Sequence, residues 1–204
     1  WNAFGRNLKY GVVSDYGVHK DMLLDLLMFH SSHDDKLTSL AQYKERMGED
    51  QEFIYYAVGE DAGKLSKLPQ AERILDKGYE ILYLTEDVDE FCMQTIGEYE
   101  GKKLKSIDDE DALPESEEEK KAAEEKAEEA KDVLSFLKET LGSKISDARI
   151  SKILKSHPVC MTADGPVSLE MEKYFKRTGN EMMAGMSAQR VLELNPDSEA
   201  FAAL

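Results

Sequence analysis

Residues 51–58 read QEFIYYAV and residues 77–84 read KGYEILYL. Each contains a dense β-type run, residues 53–58 and 79–84, that is apolar on both faces rather than alternating. Strands buried on both sides read this way and are typical of parallel sheets covered by helices. Between them, residues 62–77 have helix-loop-helix character, with Pro69 suited to a first helical turn and Gly78 to a helix stop. The order strand, helix, strand predicts a right-handed parallel crossover. The expected fold class is therefore α/β (α+β overall): a helix-covered parallel βαβ module followed by a smaller mixed α/β module.

Outward from this core, Trp1, Phe4, Leu8 and Val12 recur at helical spacing. Residues 18–29 are apolar almost all round and predict a deeply packed helix. Residues 39–47 predict a short amphipathic helix starting near Thr38. A helix is expected over 87–96 and a short edge strand over 103–107. After an acidic linker ending at Pro114, residues 115–141 read as one long helix. Its second half gains an apolar stripe at Val133, Leu134, Leu137 and Leu141, and Gly142 ends it. Residues 145–154 and 159–162 predict two antiparallel strands joined at Ser156-His157-Pro158. A short helix over 167–177, a methionine cluster at 182–186 and a last strand over 191–194 follow. The expected domains are residues 1–111 and 112–204.

The net charge of −16 and a pI near 4.7 argue against nucleic acid and against an anionic membrane surface as partners. Cys92 and Cys160 share no CxxC spacing, so neither a disulfide framework nor a structural zinc site is expected. Two scattered cysteines fit a reducing cytoplasm. No apolar run reaches the ~18 residues of a membrane span. The chain opens at Trp1 in mid-pattern, which reads as a piece of a longer protein.

Chemistry-bearing motifs are sparse. Gly59-Glu60-Asp61-Ala62-Gly63-Lys64-Leu65 looks like a phosphate loop at first sight. It has three residues between its glycines rather than four, Leu65 where a magnesium-binding hydroxyl belongs, and two acids that would repel phosphate. A tight turn is the better reading. Glu86, Asp87, Asp89 and Glu90 crowd the end of the second strand. They are expected to cap the next helix and complement its dipole. The alternative is a metal-dependent α/β enzyme domain using carboxylates Glu86–Glu90. His30 and His33 sit in a Ser/Asp turn without the spacing of a helical metal pair. Val167, Met171, Tyr174 and Phe175 fall at i, i+4, i+7 and i+8 and share one apolar face. Such a face is ordinarily core, yet methionine-rich faces also serve adaptable binding.

Six blocks, in order, resemble the ninety-kilodalton heat-shock (Hsp90) chaperone family in its bacterial HtpG form. They are FGRNLKYGVVSD (4–15), LLDLLMFHSS (23–32), SLAQYKERMGEDQEFIYYAVGE (39–60), GYEILYLTEDVDEF (78–91), YEGK (99–102) and VLELNP (191–196). The third is the most specific. Asp87 departs from the family's usual proline, and Ile153 stands where arginine is common.

The resemblance implies the rear of the family's middle domain followed by most of its C-terminal domain, truncated before the last dimerisation helices. It implies an ATP-dependent chaperone whose ATP and magnesium are held in an N-terminal domain upstream of Trp1. No cofactor, metal or catalytic residue is then expected in this stretch. A homodimer is implied for the full-length protein, and a weak dimer or monomer for this stretch. Non-native client proteins are the implied partners. Carried over position by position, client contacts fall on Glu90, Phe91 and Gln94, and on Val167, Met171, Tyr174 and Phe175. The resemblance therefore favours a partly exposed face at 167–175 over a fully buried, purely structural one.

Overall fold

The computed structural model describes residues 1–34, 36–179 and 185–203. The chain divides into two compact units, Trp1–Ile107 and Asp108–Leu204.

In the first unit, helix α1 (Gly5–Ser14) precedes strands β1 (Met28–Ser31) and β2 (Thr38–Ser39) and helix α2 (Leu40–Arg46). Strand β3 (Phe53–Val58), helices α3 (Ala62–Leu65) and α4 (Glu72–Asp76) and strand β4 (Ile81–Leu84) form the crossover. Helix α5 (Asp89–Ile96) and strands β5 (Glu98–Tyr99) and β6 (Lys102–Ser106) complete the unit. The six-stranded sheet runs β2-β1-β4-β3-β6-β5, with β3 parallel to both β4 and β6. The doubly apolar runs are buried on both faces as expected. Ile54, Tyr56, Leu82 and Leu84 pack with Val12, Cys92, Met93 and Ile96, while Tyr55, Ala57, Ile81 and Tyr83 on the opposite face are also buried.

Three local expectations are corrected here. Residues 18–29 do not form a helix. Tyr16 and Gly17 adopt positive φ (56° and 78°), two short 3-10 turns follow (Lys20–Met22 and Leu24–Leu26), and the chain then enters β1. Strand β1 pairs antiparallel with β4 (His30 with Tyr83), so Leu27 and Phe29 are buried while Val18, Met22 and Leu26 stay exposed. Second, β6 is not the edge strand, because β5 pairs outside it. Third, the phosphate-loop look-alike is a helix start: Asp61 Oδ1 accepts from the Lys64 amide at 2.9 Å, capping α3.

In the second unit, helices α6 (Glu117–Glu129) and α7 (Lys131–Leu141) precede strands β7 (Asp147–Ile150) and β8 (Val159–Asp164). Helix α8 (Leu169–Thr178), strand β9 (Gln189–Leu194) and helix α9 (Glu199–Ala202) follow. The single long helix expected over 115–141 is interrupted at Ala130, whose ψ of −3° departs from that of a regular α-helix. The Ala130 methyl is buried against Ile150 and Leu194, so packing on the sheet sets the break. The acidic α6 has no buried residue, and Ser116 with Glu119 forms a capping box at its start. Strands β7 and β8 are not a hairpin. Strand β9 lies between them, parallel to β7 and antiparallel to β8. Glu193, 2 % exposed, holds this sheet together. It accepts from Arg149 Nη2 (2.9 Å), Ser151 Oγ (2.7 Å) and Thr162 Oγ1 (2.9 Å). Among the described residues no helix is long and apolar enough to cross a membrane.

Candidate functional site

The client positions expected from sequence fall on α5 and on α8, with Val167 just before the α8 cap. On α5, Cys92, Met93 and Ile96 face the core, and burial pushes the Cys92 thiol up to about 12. Glu90 is buried, Phe91 half-buried and Gln94 exposed. Asp89 and Glu90 lie in the first turn, where acids complement the helix dipole.

The turn before α5 is fixed by a residue that the sequence reading missed. Lys9, on α1 and 3 % exposed, places Nζ 2.6 Å from Asp89 Oδ1 and 2.7 Å from Glu86 Oε2. The ammonium also lies 4.6 Å from the Phe29 ring centroid and 5.4 Å from that of Trp1, within cation–π range. The Glu86 amide donates to Asp89 Oδ2 at 3.1 Å. Burial raises the Asp89 carboxyl above its ordinary value, against the pull of Lys9 and the Glu86 amide. Arg6 Nη2 lies 3.7 Å from Asp87. A cavity of about 280 Å³ opens beside this cluster, lined by Trp1, Arg6, Lys9, Phe29, Tyr83 and Asp89 among others.

Glu86 and Asp89 therefore meet the Lys9 ammonium, and Asp87 faces Arg6. Among the described residues no group of three or more His, Cys, Asp or Glu side chains is placed to hold a metal, and nothing supports the metal-enzyme alternative. The capping expectation is modified too: Asp89 closes the turn onto the Glu86 amide, and the N-cap position, Val88, makes no side-chain cap.

On α8, Ser168 Oγ accepts from the Met171 amide at 3.0 Å, and Gly179 ends the helix in the left-handed region at φ 61°. The expected apolar face is divided. Met171 and Phe175 are each 4 % exposed and point into the unit, whereas Val167 and Tyr174 are half-buried on one shoulder. Tyr174 stacks edge-on to Phe175 (6.1 Å) and lies under the Arg177 guanidinium (5.9 Å). The physical reason for the division is Glu172. Its side chain is 3 % exposed and its carboxylate receives Arg190 Nη2 at 2.8 Å and the Ala188 amide at 3.1 Å, with Lys176 on the other oxygen. Those partners turn the Met171–Glu172–Phe175 side inward. They also hold the Glu172 carboxyl far below its usual range, at about 2. Of the methionine cluster, Met186 is 49 % exposed, while Met182 and Met183 lie outside the described residues.

Comparison with known proteins bears on the whole chain. The family model described as Hsp90 protein matches residues 1–204. Chaperone protein HtpG of Clostridium perfringens (strain 13) is 50 % identical over 204 residues, covering 100 % of this chain and 32 % of the relative. The Bacillus subtilis (strain 168) protein of the same description is 46 % identical over 204 residues, again 100 % and 32 %. That of Clostridium acetobutylicum is 48 % identical over 201 residues, 98 % of this chain and 32 % of the relative. A solved middle domain of a Plasmodium falciparum heat shock protein shares 34 % identity, covering 52 % of this chain and 45 % of that one, with a TM-score of 0.49. The chain thus spans about a third of the length of the curated relatives it matches. Matched along its whole length by one family and half identical to bacterial relatives within it, this chain belongs to the Hsp90 family.

Proposed function

We propose that the chain is part of an ATP-dependent molecular chaperone of the cytoplasm, and that it supplies client-binding surface and scaffold rather than chemistry. Residues 1–111 act as the rear of the middle domain and residues 112–204 as most of the C-terminal domain. ATP and magnesium are bound by another part of the parent protein, which works as a homodimer. The observation that carries this reading is the unbroken family match over all 204 residues. The geometry is compatible with it: Phe91 and Gln94 on α5, Tyr174 on α8 and Val167 just before the α8 cap offer apolar and amide groups at the surface of an acidic chain. Such surfaces hold non-native chains weakly and without strict sequence preference.

The test is the affinity for a reduced, alkylated, permanently unfolded polypeptide, read by fluorescence anisotropy. Serine at both Met171 and Phe175 would disturb the core, so the informative variant is Val167→Ser with Tyr174→Ser. Each loses part of the ~1.5–3 kcal/mol of a buried apolar side chain, and binding weakens roughly tenfold or more. Unchanged affinity with an intact circular dichroism spectrum would reject α8 as a client surface.

A further inference from the structure

We propose that α8 is a latched helix. Glu172 and Arg190 hold it down, and lifting it delivers Met171 and Phe175 to the apolar side chains of a non-native polypeptide. This rests on the reading of residues 167–175 as a client face.

Met171 and Phe175 cannot meet a macromolecule where they stand, since each is 4 % exposed. Their own apolar burial holds them there, and a polar contact adds to it. Glu172 lies between them on the inward side of α8. Two of its three partners, the Arg190 guanidinium and the Ala188 amide, come from the start of β9 and the residue just before it. The third, Lys176, is on α8 itself. The Arg190 and Ala188 bonds to the helix therefore meet on one carboxylate.

The contact is well placed to open, because only one of its ions is buried: Glu172 is 3 % exposed, whereas the Arg190 side chain is already 37 % exposed, so breaking it returns the carboxylate to water without unpacking its cation. The helix is equipped to survive opening. Its N-cap (Ser168) and its left-handed stop (Gly179) are local, and Glu170, Lys173 and Lys176 give it ion pairs of its own. The sheet beneath is held independently by Glu193 with Arg149, Ser151 and Thr162.

The test uses the whole 204-residue chain carrying Met171→Cys, with and without Glu172→Gln. Thiol labelling under native conditions reports the open population, and the buried Cys92 and Cys160 serve as internal controls. Arg190→Gln, at a side chain 37 % exposed, breaks the same contact from the other side should the Glu172 variant fail to fold. Losing one charge-assisted hydrogen bond raises labelling at position 171 roughly tenfold. Affinity for the unfolded polypeptide tightens by the same factor while the open state remains a minority. Unchanged labelling at position 171 in both variants overturns the latch, as does a parallel rise at Cys160, which would mean that the unit had loosened as a whole. Faster labelling without tighter binding overturns delivery of Met171 and Phe175 to a client, whereas the client-face reading itself falls only if Val167→Ser with Tyr174→Ser also leaves the affinity unchanged.

Discussion

Replacing Lys9 by methionine removes one charge and keeps the aliphatic stem. The structure makes this a sharp perturbation, because Lys9 and Asp89 are both almost fully buried and lie 2.6 Å apart. Glu86 is 39 % exposed and falls back on solvent, so little of the loss comes from it. Asp89 cannot do so. Leaving one member of a buried pair uncompensated costs ~3–5 kcal/mol. For a unit of about 100 residues, at roughly 4 °C per kcal/mol, that is a fall in Tm of about 12–20 °C. Trp1 is the chain's one tryptophan and lies beside Lys9, so its fluorescence follows the melting of this unit. The loss should also depend on pH. Asp89 is held above its ordinary value by burial. The folded state therefore binds this proton more tightly than the unfolded state, and stability falls as pH rises from the unfolded to the folded pKa. Removing Lys9 takes away two influences that lower that value, so the carboxyl rises further. The destabilisation is then full at pH 8 and shrinks towards pH 5. Adding Asp89→Asn recovers more than half, since the amide oxygen still accepts from the Glu86 amide. A Tm at pH 8 within about 2 °C of the parent, or a loss as large at pH 5 as at pH 8, would refute the assignment of Lys9 as the buried counter-ion.

Glu193→Leu takes the acceptor from Ser151 and Thr162 and leaves Arg149 only Glu110 and Asp164; it should cost more than ~3 kcal/mol and unfold residues 108–204 first, visible by hydrogen exchange while residues 1–107 keep their protection. Gly5→Ala builds a Cβ that collides with the Trp1 indole; the ring must move, shifting its emission to the red at a cost of about 1–3 kcal/mol. The Glu172 carboxyl, lowered to about 2, contributes stability that is fully present above the ordinary glutamate range and is lost as pH falls towards 2. Denaturant midpoints of residues 108–204 should therefore be flat from pH 8 to about 5 and decline below, and Glu172→Gln should remove that part of the decline.

What the sequence made legible was local or doubly determined. The β3–β4 crossover was readable because strands buried on both faces have no polar alternation to hide in, and because Gly78 marks the return. The α2 start was readable from Thr38-Ser39, and Ser39 with Gln42 closes a capping box. Residues 18–29 misled because their apolar content is that of a buried helix. Only pairing with β4, some fifty residues away, and the positive φ of Tyr16 and Gly17 make the segment turn and then extend. Strands β7 and β8 suggested a hairpin because they are neighbours in sequence; the strand that separates them arrives last. Among site residues, spacing correctly grouped Met171 with Phe175 on one side of α8. It could not show that Glu172, polar and between them, is buried by partners 16 and 18 positions downstream. Lys9 was invisible for the same reason, since its carboxylates lie 77 and 80 positions away.

Whether non-native polypeptides bind at α5 and α8, as proposed, is decided by hydrogen exchange of the 204-residue chain with and without a reduced, alkylated polypeptide. Slowed exchange is predicted at Leu169–Thr178 and Asp89–Ile96, with none at the solvated helix Glu117–Glu129. Protection confined to Glu117–Glu129, or none at α5 and α8 under saturating polypeptide, would contradict it.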